Sequence, residues 1–125
     1  MTEVPDWARR LGEAAAAALA QPGGDGLVLD ALAGLPHART VRLRTGWFST
    51  VPAVHLGSHR FRRHGDGRLL VEHVVADVAL THAAATAAQA GETIAVAAAT
   101  HAAAHGPGVI PEVEAVTSGL RAAAG

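Results

Sequence analysis

The 125-residue chain has no cysteine, no tyrosine and no lysine, and only four aromatic side chains: Trp7, Trp47, Phe48 and Phe61. Without cysteine there is no disulfide scaffold, no thiolate metal centre and no cysteine nucleophile. Without lysine the permanently charged side-chain cations are the ten arginines, and lysine-based chemistry is excluded. Charge of either sign is sparse, at 17% of residues with a formal net charge of -1. What is present is apolar and small. Half the residues are hydrophobic and thirty are alanine, a composition that folds rather than stays disordered. The length suits one domain spanning residues 1–125.

Arg9 and Arg10 followed by an alanine run ending Ala18-Leu19-Ala20 imitate a secretory signal. Glu3 and Asp6 cancel the arginines, however, and Glu13 interrupts the would-be apolar region. A cytoplasmic protein is therefore expected, with Pro5–Gln21 as a helix stopped by Pro22-Gly23-Gly24. Asp25 is placed as the cap of a short helix over 26–33, with Gly34 as its left-handed terminator. Residues 26–33 also read as the start of a strand.

From Ala38 to Val75 the period changes to two, the mark of a sheet. Strands are expected around Val41–Arg44, Val51–Leu56, His59–Arg63 and Arg68–Val75, with Pro52 marking a strand start or an edge. Gly57-Ser58 makes a two-residue hairpin turn, and Gly65-Asp66-Gly67 a three-residue turn with Gly67 left-handed. Those turns fix a register in which Val54 faces Phe61, Phe61 faces Val71, Arg60 faces Glu72 and His59 faces His73. From Asp77 onward the pattern reads as helices over 78–90, 94–105 and 111–123, bounded by Gly91, Gly106-Pro107-Gly108 and caps at Asp77 and Thr93. The sum is an α+β domain: an N-terminal helix, a three- to four-stranded antiparallel meander, and Ala-rich C-terminal helices packed on one face.

Seven arginines and one acid, Asp66, lie between residues 37 and 71. Arg42, Arg44, Arg60 and Arg62 are candidate anion ligands, with nucleic acid as one reading. The net charge and the few aromatics between the arginines argue against nucleic acid. The segments 78–90 and 94–105 carry no charged residue at all. As surface helices they would need cover, and a second copy of the chain is the economical source, so a homodimer is expected. A membrane pair fails on length, each segment being about a dozen residues against the roughly 20 needed to span; no membrane partner is expected.

Eight histidines are the remaining chemistry. His101 and His105, four apart, share a helix face within reach of one metal ion, and His82 on the preceding antiparallel helix is the candidate third ligand. The carboxylate of an H-E-x-x-H motif is missing, because Ala102-Ala103-Ala104 intervene. His59 and His73 at the edge of the apolar face, with Phe61 and Trp47, are candidate ligand-binding residues. Ser58 and His59 are adjacent, and strand alternation would point their side chains apart. No phosphate loop, nucleophile elbow or acid–base carboxylate pair is present, so no catalytic machinery is expected. The expected function is a self-associating binding protein holding a partner or small ligand between sheet and helices. A histidine-based metal protein or enzyme is the alternative, and nucleic-acid binding through the sheet arginines the second.

Overall fold

A computed structural model describes residues 3–76 and 78–124, with the side chains of 80–82 excepted. Two helices, α1 (Asp6–Leu19) and α2 (Gly24–Ala33), lead into five strands: β1 (Arg39–Arg44), β2 (Thr50–Leu56), β3 (His59–Arg63), β4 (Leu69–Val75) and β5 (Val78–Ala85). Helices α3 (Ala87–His105) and α4 (Val109–Ala124) complete the chain. The strands form one antiparallel sheet in sequence order. The α+β class is as expected from the sequence, with five strands where three or four were anticipated.

The register deduced from turn chemistry is the one observed: Val54 opposite Phe61, Arg60 opposite Glu72, His59 opposite His73. Gly57 (φ 60°) and Gly67 (φ 89°) are left-handed, as tight hairpin turns demand. Val54, Leu56, Phe61 and Leu69 on one face are buried against the helices. On the opposite face Arg60 clamps Glu72 with two hydrogen bonds of 3.1 Å, and Arg62 Nε lies 3.5 Å from the same carboxylate. Pro52 lies within β2 rather than at its start. Pairing of β2 with β3 begins only at Ala53, so Pro52 faces a side where no ladder donor is needed.

Two helix boundaries differ from the sequence expectation. Residues 78–85 are strand β5, not helix. Ala76 adopts a left-handed conformation (φ 52°) and turns the chain so that Val75 pairs with Val78. Alanine rarely takes that conformation, so no turn signal marks the reversal. The helix that follows starts at Thr86, whose Oγ1 accepts from the Gln89 amide while the Gln89 side chain accepts from the Thr86 amide. Thr93, read as a cap, is inside α3; Asp77, the other expected cap, lies outside the described residues.

Gly91 is also interior to α3. A Cβ there would come within 2.4 Å of the Gly12 carbonyl oxygen, and one on Gly12 within 2.3 Å of that of Gly91. The two glycines, each followed four residues later by alanine (Ala16, Ala95), let α1 and α3 cross backbone to backbone. Helix α3 thus lies between α1 and the sheet, touching β2, β4 and β5 on its other side. Much of the cover that its uncharged surface requires is supplied within the chain, which removes that helix from the argument for a partner. Two smaller corrections concern α2. Gly34 is right-handed (φ -78°), and the left-handed residue is the N-cap Gly23 (φ 77°). Asp25, expected as the cap, sits in the first turn, buried, with Arg63 Nε donating to it at 2.8 Å.

Candidate functional site

Where α3 ends, its last turns meet the turn between β2 and β3 and the segment entering β1. His101, buried, donates from Nε2 to the Pro36 carbonyl at 2.6 Å. A carbonyl only accepts, so this bond fixes the proton on Nε2 and holds the ring. His37, one residue on, is left-handed (φ 65°), which turns its imidazole onto His105. The two rings stack 4.5 Å apart and nearly parallel, and His105 in turn lies 4.6 Å from His101. Three imidazoles from two distant segments therefore form a row.

That row is one wall of a cleft of about 440 Å³. Arg39, His55, Ser58 and Thr100 also line it. His55 is held by donating from Nε2 to the Gly57 carbonyl at 2.9 Å. Gly57, Ala76 and His37 all line this cleft and all have positive φ. A Cβ at Gly57 would meet the Ala97 carbonyl at 2.7 Å, so glycine is required twice over. Strained backbone gathered around one cavity is the pattern of a site whose shape the surrounding fold enforces. Among the described residues no carboxylate lines it. Partial desolvation, then the neighbouring His101 and His37, holds the proton affinity of His105 below that of an ordinary histidine.

The second histidine pair is also formed. The rings of His59 and His73 stack 5.1 Å apart, and the cleft beside them, about 340 Å³, is lined by Val71, Ala83, Ala85, Gln89 and Thr93. Burial first, and then His73 and His55, lowers the pKa of His59. Ser58 Oγ lies 3.4 Å from His59 Nδ1, so the side chains do not point apart as strand alternation suggested, because Ser58 belongs to the turn. Phe61 is in contact range of His59 but fully buried in the core, and Trp47 stands on the β1–β2 loop, 88% exposed. The four expected ligand-binding residues do not share one site.

The expected metal set is not assembled as read. His101 and His105 are adjacent, but His82 lies on β5 opposite Glu72 rather than on a neighbouring helix, and its side chain is outside the described residues. The third imidazole in the row is His37, which sequence spacing could not reveal. Among the described residues no group of three histidine or acidic side chains is arranged to hold a metal ion. The arginines divide as well. Arg42 pairs with Pro52 and Arg62 with Ala53, consecutive positions on β2, so the two arginines occupy opposite faces. Arg60 and Arg62 are taken up by Glu72.

Among the described residues no helix is long and apolar enough to cross a membrane. Residues 4–122 match the model of a family described as a domain of unknown function (DUF5073). No curated protein and no solved structure matches the chain.

Proposed function

We propose that this chain, which belongs to the DUF5073 family, is a self-associating binding module whose histidine-lined cleft takes a small anionic ligand. The observation that carries the reading is convergence: His37, Arg39, His55, His101 and His105, from four separate elements or connections, line one cavity without a described acid among them. The volume is that of a small-molecule site. Arg39 contributes formal charge whatever else it touches. The His105 imidazole, which resists protonation when the cleft is empty, gains a counter-charge from an anion, so binding draws a proton in. Affinity then rises as pH falls through the histidine range.

The hydroxyls of Ser58 and Thr100 are the cleft's only described nucleophile candidates. Thr100 donates to the Val96 carbonyl, and among the described residues no carboxylate orients a general base behind Ser58. Binding rather than turnover is the chemistry these groups support. Self-association draws its support from β5, an edge strand of eight residues with no ionic side chain, whereas the opposite edge, β1, carries three arginines. An unprotected edge is a template for another strand.

Sulfate, which keeps its charge across the histidine range, tests the cleft. Titration followed by histidine ring resonances should show His37 and His105 responding at about pH 6, with affinity at least roughly fivefold weaker at about pH 8. His37→Ala and His105→Ala should each weaken it. If sulfate, phosphate and malonate all leave both resonances unmoved at the lower pH, the reading is wrong.

A further inference from the structure

Half of the chain's aromatic side chains stand in water on a single loop. Trp47 is 88% exposed and Phe48 is 98% exposed, at the apex between β1 and β2. Neither contributes to the core, and neither lines the histidine clefts. The segment that carries them projects. β1 pairs with β2 from Arg39 to Arg44, but β3 pairs with β2 only over Ala53–Leu56. The outer half of the hairpin, 42–44 with 50–52, is therefore a two-stranded ribbon with no third strand beside it among the described residues.

The ribbon is also where unneutralised positive charge collects. Arg60 and Arg62 face Glu72, Arg63 is bound to Asp25, and Arg68 to Asp66. Arg42 and Arg44 meet no carboxylate among the described residues. They are exposed, and Arg42 donates to the Thr50 hydroxyl at 3.3 Å. From residue 37 to 65 the sequence has no acid at all. The tip carries two aromatic rings in front and two arginines behind, with Arg44, Gly46 and Trp47 around a wide-open hollow. It has the order of layers found at a lipid–water interface, apolar groups first and cations at headgroup depth.

We infer that the β1–β2 hairpin is a docking element for an anionic lipid surface, with Trp47 and Phe48 entering the interfacial region and Arg42 and Arg44 meeting the phosphates. The length argument against a membrane concerns crossing one; docking needs only the tip. Attraction of exposed arginines to anionic lipid is screened by salt, and a short apolar tip binds reversibly.

Co-sedimentation with phosphatidylcholine vesicles, with and without phosphatidylglycerol, tests it. Retention is expected only with phosphatidylglycerol, falling with added salt and reduced at least roughly tenfold in a Trp47→Ser/Phe48→Ser double variant and in an Arg42→Ser/Arg44→Ser double variant. Tryptophan emission should shift to the blue on binding, and the shift should vanish without Trp47, since Trp7 packs against the core. All four positions are on the surface, and a thermal melt matching the parent shows that the variants fold. Sulfate titration of the Trp47→Ser/Phe48→Ser variant reads the cleft separately and should be unchanged. Equal retention on both vesicle types, retention indifferent to Trp47 and Phe48, or no retention at all overturns the inference. So does a Trp47-dependent preference for a single-stranded oligonucleotide over the vesicles.

Discussion

Asp25 sits in the first turn of α2 with its carboxylate buried and bonded to Arg63 from β3, tying a helix to the sheet. Burial alone would raise its pKa, but the Arg63 bond and the local backbone amides outweigh that and bring it below the usual carboxylate value. A carboxyl group with a depressed folded-state pKa adds stability above its unfolded pKa, near 3.8, and loses it as pH falls through the folded value. Asp25→Asn should therefore destabilise at neutral pH by about 1–3 kcal/mol, and the gap should close in melts run below about pH 4. A gap independent of pH would show that the charge is not what matters. At this scale the sequence is partly legible. It marks Asp25 as belonging to the start of α2, but not its direction, which Arg63 decides from 38 positions away. His37 is opaque for a similar reason: its role follows from a left-handed backbone and from the distant α3.

The crossing of α1 and α3 makes a sharp prediction about elements. Gly91→Ala should lower stability by about 1–3 kcal/mol despite alanine's better helix propensity, because a backbone carbonyl occupies the space its Cβ needs. Gly119→Ala in α4, where nothing lies within 4 Å of the added methyl, should instead be neutral or stabilising by up to about 1 kcal/mol. Denaturant midpoints of the pair check both signs. Elements whose ends are marked by glycine turns, β2 to β4, were legible down to residue pairing, because a one-residue slip would have put Phe61 and Val54 in water. β5 was not. Val78–Ala85 is half alanine, which carries little periodic signal, and its fate is set by the left-handed turn at Ala76 and by β4 beside it. Gly91 reads as a stop in the sequence because a glycine inside a helix has no local rationale; the rationale is Gly12.

For the whole molecule, the issue is what covers the surfaces that lack charge. The chain itself covers α3 on two sides, so the expectation of a second copy now turns on β5. Light scattering should give twice the monomer mass, and Val78→Lys, at a position already 59% exposed, should shift the protein toward monomer without lowering its secondary-structure content. A parent chain that is monomeric at high concentration would remove the dimer. The layering of helices on one sheet face was legible from the order of elements. The intramolecular cover was not, because it depends on a close approach that two distant glycines permit.

The ribbon from residue 42 to 52 has no third strand beside it among the described residues, and Pro52 at its base is where it comes beside α2, so its outer backbone ladder can melt and reform while β3, β4 and the helices stay assembled. The amide protons there should trade with deuterium far sooner than those of the remaining strands. That gives the molecule one appendage able to reshape against whatever it meets, at no risk to the frame that bears it.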